Sequence, residues 1–466
     1  MQACLLASLL IASVAAQAPT TNAKGCVNSY DASVDYFPEK INNSIPSVNL
    51  SYQYKNNYKI ITDKLSGSTY VLYQCGTPKP DVAANRTIAV PVQTVSVADT
   101  TVVTYLELLG QRASIKYTSG GTVNYITSPC IQAQLAKDNT TIVDVPSKDN
   151  DQALAFLNST GVTFTFGSYD VSASANNSVQ FPATTDPGVL GRAEWLGFVA
   201  SFFNQEAQAN SLSNQIADNI KCLSSAANAS AQADVTKRPV VAAVAYNAPY
   251  QGSKPSWVIS APKIYNDYIT LAGGQPLVPK GVNGTAYAGG LQYSFATAAD
   301  LLAALAPVDI LFDDSFGDTN ATDTYAAIGV STTQQGTFKF ISNKQIYSFN
   351  RLQASSGSTE WYESAVIEEN VVLADLVAVI NPALMTGYQT TFVRSVFGSA
   401  PVIETAADCP AKNYADALAL PIVKCPAPIA PASATAAASK TGAAGVTAPA
   451  VAIVAAAFAL FAIWMS

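Results

Sequence analysis

The chain has 466 residues, of which 49% are hydrophobic and 12% charged, and its formal net charge is −7. This length suffices for one large two-lobed domain or two ordinary domains with a sizeable core. A nucleic-acid-binding surface needs clustered Lys and Arg, so the composition argues against that class of partner. Histidine is absent, which excludes Ser-His-Asp and Cys-His catalysis, His-ligated metal sites and imidazole ligation of haem. We therefore expect no resident cofactor.

The chain begins with an apolar core, Leu5 to Ala15, in which Val14 and Ala16 fit a small-x-small cleavage pattern. Residues 1–16 are thus predicted to be a secretory signal peptide. Residues 17–85 are predicted to form a β-rich extension built around a β-hairpin. Three of its runs alternate apolar and polar side chains and are separated by turn residues, which is typical of antiparallel strands: Val48 to Tyr54, Tyr58 to Ile61 and Thr69 to Gln74.

From residue 86 the pattern changes to strands that alternate with helices. Ile88 to Val97 is β-branched and predicts a strand, and Thr100 to Leu109 has helical spacing and stops at Gly110. Similar units follow, so residues 86–190 and 238–385 are each predicted to form an α/β lobe with a parallel sheet. Between them, in the segment 191–237, apolar residues recur three and four apart and predict one continuous helix from Arg192 to Leu223 that bridges the lobes.

The C-terminal part is predicted to be an irregular cysteine-containing tail, 386–432, followed by a linker and anchor signal, 433–466. The run Ser433 to Gly445 is rich in small residues, and Ala448 to Trp464 is apolar without a charge. This order is typical of a signal for a glycosylphosphatidylinositol (GPI) anchor, with attachment expected at Ser439 or a nearby small residue. The alternative is a single membrane-spanning helix. We expect a secreted protein anchored at the outer face of the plasma membrane or in the cell wall.

Cysteines and glycosylation sequons fit this extracellular location. Loss of Cys4 with the signal leaves six cysteines, and an even number in an oxidising compartment predicts three disulfides. They are Cys26, Cys75, Cys130, Cys222, Cys409 and Cys425. The nine N-x-[ST] sequons are at Asn42, Asn49, Asn85, Asn139, Asn158, Asn176, Asn228, Asn283 and Asn320.

The order of elements, with the segments DPGVLGRAEW at 186–195 and EWYES at 360–364, resembles the periplasmic substrate-binding proteins of the siderophore and cobalamin type. Thr104 to Gly110 and Tyr265 to Gly274 are also similar to helices of that family, and the similarity covers roughly residues 45–385. The resemblance implies two α/β lobes on a rigid helix and a monomer that binds a ligand without enzyme activity. The family's ligands are iron chelates, haem, corrinoids or metal ions. The lack of histidine sets aside bare metal ions and His-ligated haem.

Within that architecture, each cysteine is expected to pair with one in a neighbouring segment. The expected disulfides are Cys26 with Cys75, Cys130 with Cys222, and Cys409 with Cys425.

In such a protein the ligand contacts loops at the carboxyl ends of strands on both sides of a cleft. Aromatic faces together with Arg suit a planar or chelate-like organic ligand. The candidate binding residues are Tyr125, Tyr169, Arg192, Tyr246, Tyr250, Trp257, Arg351 and Trp361. Tyr250 and Trp257 are placed in a loop, whereas Trp195 heads an apolar helical face and is expected in the core. Arg192 and Glu194 have the alternative of purely helix-terminal interactions.

Three functions remain open from the sequence. The first is a cell-surface protein that binds a small organic ligand or metal chelate. The second is a glycosidase using Asp313, Asp314, Glu360 or Glu363, which would need two carboxylates facing each other across a cleft. The third is a cell-wall or adhesion protein whose binding fold no longer binds a ligand, in which the cleft would be filled.

Overall fold

A computed structural model describes residues 19–429, apart from 43–44, 46–47, 120, 139–141, 146–163, 168–177, 232–233, 250–251 and 316–319. The predicted signal peptide and anchor signal lie outside these residues. No helix of the described part combines the length and the apolar character needed to cross a membrane.

The N-terminal sheet contains the predicted hairpin and one further strand. Its strands, in spatial and sequence order, are β1 (Leu50–Tyr54), β2 (Tyr58–Asp63), β3 (Ser68–Gln74) and β4 (Arg86–Val90). The first three are antiparallel, and β4 lies parallel to β3. The predicted single strand from Ile88 to Val97 is therefore wrong. Pro91, which cannot donate to a strand ladder, follows β4, and the next strand joins a different sheet.

The first lobe contains a parallel sheet of five strands, as predicted. The spatial order is β7 (Val143–Val145), β6 (Ile115–Ser119), β5 (Val95–Val97), β8 (Phe164–Gly167) and β9 (Ser178–Gln180). Every pairing is parallel. Helices α1 (Thr101–Leu108) and α2 (Pro129–Lys137) belong to this lobe. Helix α2 is capped by Ser128, whose hydroxyl accepts from the Ile131 amide at 3.2 Å.

Two helices, rather than the predicted one, connect the lobes. Helix α3 (Gly191–Ser201) is followed by a break, and helix α4 (Glu206–Ser230) continues for 25 residues. Asn204 in the break has a φ of 57°, a left-handed conformation that asparagine tolerates better than most residues. Trp195 is fully buried, as expected for a core residue.

The second lobe has a mixed sheet of eight strands whose centre is parallel. Its strands are β10 (Val240–Asn247), β11 (Ser256–Ala261), β12 (Gln275–Pro276), β13 (Thr285–Tyr287), β14 (Gly290–Phe295), β15 (Ile310–Asp313), β16 (Ile346–Ser348) and, beyond β17 (Leu352–Ala354), β18 (Arg394–Ser395). Strands β12, β10, β15 and β16 pair in parallel, and antiparallel strands complete both edges. The helices are α5 (Lys263–Leu271), α6 (Ala298–Ala304), α7 (Ala321–Ile328), α8 (Lys339–Ser342) and α9 (Glu369–Ile380). The predicted α/β class with two sheet-containing lobes is confirmed.

The C-terminal tail runs across the rest of the molecule. It first pairs β19 (Val402–Glu404) with β17 of the second lobe. The Arg112 guanidinium of the first lobe then donates to the carbonyls of Tyr414 and Asp416, and Asn219 of α4 exchanges two hydrogen bonds with the backbone of Val423. The tail therefore contacts both lobes and the connecting helix.

The path of the C-terminal tail explains the pairing of two disulfides. Cys26 is bonded to Cys75, as predicted. The other two predicted pairs are wrong, because Cys409 is bonded to Cys130 in the first lobe and Cys425 to Cys222 in α4. The expected pair of Cys409 with Cys425 required a tail folded back on itself, whereas the observed tail is extended over the surface.

Candidate functional site

The candidate site lies at the carboxyl edge of the second-lobe sheet, where β15 and β16 end at Asp313 and Ser348. A pocket of about 70 Å³ opens there. Its lining residues are Asp313, Asp314, Ser315, Ser348, Phe349, Asn350, Gln353, Gly357, Thr359, Trp361 and Tyr362. The carboxyl edge of parallel strands is the usual location for ligands in α/β sheets.

Aromatic rings form one wall of this pocket. The rings of Phe349 and Trp361 are stacked with centroids 4.0 Å apart, and Phe349 is also stacked on Phe312 at 5.1 Å. Tyr265 of α5 lies 6.4 Å from Trp361. Since Phe312 and Phe349 are almost fully buried while Trp361 is only partly buried, the stack presents its outer member to the pocket.

Asp314 and its neighbours give the pocket its polar chemistry. The Tyr265 hydroxyl donates to Asp314 Oδ2 at 3.2 Å. Burial, together with the charge of Asp313, raises the pKa of Asp314 to about 7. Burial and the Asp314 charge raise the pKa of Tyr362, a half-exposed residue, to about 12. The pocket therefore contains a carboxyl group that titrates near neutral pH beside a phenol that stays protonated.

Arg192 lies in the first turn of α3. Its Nη2 donates to the Thr184 carbonyl at 3.1 Å, while its buried Nε has no hydrogen-bond partner among the described protein atoms. Burial raises the pKa of Tyr265 well above its ordinary value, and the nearby Arg192 charge opposes that shift. Of the two predicted residues Trp361 and Arg192, Trp361 lines the pocket, whereas Arg192 is not among its lining residues and acts on Tyr265 through its charge.

Two buried glutamates connect the lobes. Glu363 accepts from the amides of Thr127 and Ser128, at 2.8 and 3.0 Å, where α2 begins. Glu369 accepts from the amides of Leu190 and Ala193, at 3.0 and 3.2 Å, where α3 begins. Because burial disfavours the charged form, the pKa of Glu363 is well above its ordinary value and that of Glu369 is about 8.

Most of the carboxylates considered for a glycosidase have structural partners. Both oxygens of Glu363 bind backbone amides, as described above. Asp313 is buried and accepts from the Ser315 amide at 3.0 Å and the Thr324 hydroxyl at 2.5 Å. Glu360 accepts from the Ser364 hydroxyl. Of the four, only Asp314 faces the pocket without such fixed backbone partners.

The other predicted binding residues have different surroundings. Trp257 lies in strand β11 and not in a loop, and its Nε1 donates to the Ala327 carbonyl at 2.7 Å. Tyr246 is directly opposite Trp257 in the sheet, with ring centroids 5.5 Å apart. Tyr125 is 62% exposed after a short turn, and Arg351 is half-buried with its backbone bonded to Phe392 and Val402. Tyr169 and Tyr250 lie outside the described residues.

Tyr265 and Tyr362 are site residues that the sequence reasoning missed. Tyr265 belongs to a helix with a strong apolar face, so its sequence pattern is that of a core residue. Tyr362 directly follows Trp361 in the EWYES segment. Because Trp361 was already a candidate, its position next to Tyr362 could have identified Tyr362 as well.

The described sequons differ in exposure. Asn42, Asn85, Asn228, Asn283 and Asn320 are exposed. Asn49 is half-buried, and its Nδ2 donates to Asp186 Oδ2 at 2.7 Å. Asn139, Asn158 and Asn176 lie outside the described residues. Glycosylation of all these positions stays a prediction.

Comparison with known proteins found similar solved structures among bacterial periplasmic proteins. No protein-family model and no curated protein match the sequence. Among solved structures, a periplasmic solute-binding protein of Veillonella parvula has 14% identity and a TM-score of 0.46, covering 71% of this chain and 89% of its own. The Ni(II)-bound Ceue of Helicobacter pylori has 13% identity and a TM-score of 0.44, and the match covers 65% of this chain and 88% of its own. A periplasmic heme-binding protein of Pseudomonas aeruginosa has 12% identity and a TM-score of 0.44, and the match covers 67% of this chain and 99% of its own. Such values say nothing about what this chain binds.

Proposed function

We propose that this protein binds a small organic ligand or metal chelate in the cleft at the carboxyl edge of the second-lobe sheet, and that it does so without catalysing a reaction. Trp361 supplies an aromatic face, Arg192 a positive charge, and Asp314 with Tyr362 hydrogen bonds. The sequence features described above support a secreted, GPI-anchored form of the protein.

The observation that carries this proposal is the buried Arg192 Nε, which has no hydrogen-bond partner among the described protein atoms and whose charge acts on Tyr265 at the edge of the aromatic wall. A buried N–H without a partner costs about 1–3 kcal/mol, and more for a charged group. A ligand that accepts from Arg192 and stacks on Trp361 would remove this cost. Carboxylate, hydroxamate and phenolate oxygens are suitable acceptors because charge-assisted hydrogen bonds to guanidinium are strong.

The pocket volume limits how the ligand sits. Ligand sites usually measure about 300–1000 Å³, and the described pocket is about 70 Å³. It therefore accommodates one polar arm of a chelate rather than an entire tetrapyrrole. The remainder of such a ligand would lie in the open part of the cleft.

Fluorescence titration of the secreted protein tests the proposal. Ferric siderophores, corrinoids and tetrapyrroles are added while tryptophan emission is followed, and the titrations are repeated with Arg192→Met and Tyr362→Phe. We expect Arg192→Met to weaken binding at least about tenfold, or 1.4 kcal/mol. Tyr125→Phe, at an exposed position away from the pocket, is the control and should bind as the parent does. Failure of every ligand class at high micromolar concentration would contradict the proposal.

One observation favours a non-binding wall or adhesion protein instead. The stack of Phe312, Phe349 and Trp361 fills much of the space beside the sheet edge, so the described cavity is small. If the titrations show no binding and the Arg192→Met variant is as stable as the parent, this second function takes precedence.

A further inference from the structure

A lysine, an asparagine and a glutamate meet where the N-terminal sheet contacts the break between α3 and α4. Lys59 Nζ donates to Asn204 Oδ1 at 3.1 Å and to Glu206 Oε1. Lys59 and Glu206 are fully buried, and Asn204 is 5% exposed. The Lys59 ammonium also lies 4.6 Å from the centre of the Phe37 ring. An amine, a carboxamide and a carboxylate are thus in contact in the interior of the protein, shielded from solvent.

Each group is held in a fixed orientation. Asn204 Nδ2 donates to the Ala23 carbonyl and to Gln74 Oε1, both at 2.9 Å, so its Oδ1 is the atom that faces Lys59. Glu206 Oε2 accepts from Asn22 Nδ2 at 2.8 Å, which leaves Oε1 for the lysine. Asn204, in its left-handed conformation between α3 and α4, directs this side chain toward Lys59 of β2.

We propose that Lys59 and Asn204 form an intramolecular isopeptide bond and that Glu206 transfers the protons in this reaction. The electrophile is the Asn204 Cγ, and the product is a secondary amide between Cγ and Lys59 Nζ. The bond would join the N-terminal sheet to the hinge between the two lobes.

The reaction balances without any further reactant. The Lys59 ammonium gives a proton to Glu206, and the neutral amine attacks Cγ. The Cγ–Nζ bond forms and the Cγ–Nδ2 bond breaks. Glu206 passes its proton to the departing nitrogen and takes the second proton from Nζ, so that one ammonia leaves. No oxidant or reductant is consumed.

The surroundings favour this chemistry in two ways. Burial lowers the pKa of Lys59, whereas the Glu206 charge opposes this shift. A neutral amine is the nucleophilic form of lysine. In addition, the hydrogen bond to Asn204 Oδ1 polarises the carboxamide and holds the two reacting groups together, which replaces a bimolecular encounter.

The other ion pairs of the described residues lack the combination of groups found around Lys59. Arg112 and Glu107 form a second buried pair, but a guanidinium is a poor nucleophile because it stays protonated. Lys40 with Asp35 and Lys263 with Asp267 are partly exposed, and their lysines have no asparagine side chain among their hydrogen-bond partners. Among the ion pairs compared here, a buried amine, carboxamide and carboxylate meet at Lys59.

Tryptic peptide mapping of the full-length secreted protein tests the inference directly. A bond at Lys59 prevents cleavage after that residue and links peptide 56–64 to peptide 193–221. Neither peptide contains a cysteine or a sequon, so disulfides and glycans do not affect it. We expect the linked pair at the summed mass minus about 17 Da, the mass of ammonia, and nearly complete loss of the free peptides 56–59, 60–64 and 193–221.

Variants assign the roles. Lys59→Met and Glu206→Gln should each abolish the linked pair, while Asp218→Ala, at an exposed position within peptide 193–221, should retain it. Free peptide 193–221 together with complete cleavage after Lys59 in the parent would overturn the inference. So would a succinimide at Asn204, which loses the same mass but leaves cleavage after Lys59 intact. The map of the parent protein decides the question even if a variant is not secreted.

Discussion

Several buried carboxyl groups have a pKa raised by burial, and this has a consequence for stability. The pKa values are about 6 for Asp375, about 7 for Asp314, and about 8 for Glu369 and Glu404. In the unfolded chain these groups titrate near pH 4. At a pH between the unfolded pKa and the folded pKa of such a group, the folded protein binds more protons than the unfolded chain. The free energy of unfolding therefore falls as pH rises through this range.

We therefore predict that the free energy of unfolding is highest near pH 4 to 5 and decreases toward pH 8. One unit of raised pKa corresponds to about 1.4 kcal/mol, so between pH 5 and 8 Glu369 alone, with a pKa of about 8, should contribute a decrease of about 4 kcal/mol. Urea unfolding at several pH values measures it. Glu369→Gln, which cannot ionise, should make the dependence weaker. A stability that rises over this range would contradict the assignment.

Asp375 of α9 holds the start of the tail through one carboxylate. It accepts from the Tyr388 hydroxyl at 2.8 Å and from the amides of Thr391, Phe392 and Val393, the shortest at 2.6 Å. Asp375→Ala leaves buried donors unpaired and should reduce the free energy of unfolding by about 3 kcal/mol. Asp218→Ala on the surface should change it by less than about 0.5 kcal/mol. Denaturant unfolding of both variants makes the comparison, and equal stability would show that the tail does not depend on this residue.

At the scale of elements, sequence periodicity predicted the main helices and strands because each has one buried face. The break at Asn204 could not be predicted in this way, since apolar residues continue at helical spacing on both sides of it. The strand location of Trp257 was missed because Gly and Pro nearby suggested a loop. The division of Ile88 to Val97 between two sheets depends on strand pairing that local pattern does not contain.

The candidate site was predictable in part for a related reason. Arg192 and Trp361 were candidates from segments with a family resemblance, and of the two Trp361 lines the pocket. Tyr265 and the partners of Asp314 come from different elements, and only the fold brings them together. The disulfides show the same limit, because the path of the tail across both lobes is not encoded in any spacing of cysteines.

The two disulfides of the tail should be its main attachment. They close separations of 279 residues for Cys130 with Cys409 and 203 residues for Cys222 with Cys425. Replacing Cys130 and Cys409 together by Ser should lower stability by about 2–5 kcal/mol. Differential scanning calorimetry at neutral pH measures the loss, and non-reducing peptide maps verify the pairing. A map with Cys409 bonded to Cys425 would contradict the structure.

At the scale of the whole molecule, the lobes are held together by more than the hinge. Glu363, which lies just before α9, binds the amides at the start of α2, and Glu369 of α9 binds the amides at the start of α3. The tail is covalently bonded to the first lobe and to α4.

We predict that the radius of gyration measured by small-angle X-ray scattering changes by less than about 0.5 Å when ligand is added, in contrast to hinge proteins that close around a ligand. The same measurement on Glu363→Ala under reducing conditions serves as the comparison and should show a larger radius. A clear contraction of the parent protein on ligand addition would disprove this rigidity.

The contact between Ile429 and Ser230 places the end of the described tail beside one end of α4. The Ile429 amide donates to the Ser230 hydroxyl at 2.9 Å, so the chain leaves the folded body at the C-terminal end of α4. At 1.5 Å per residue, the 25 residues of this helix measure about 37 Å. Helix α4 therefore separates the last described residues of the tail from Glu206 at its other end, where Lys59 of the N-terminal sheet lies. The N-terminal sheet and the end of the described chain are thus held at opposite ends of one helix.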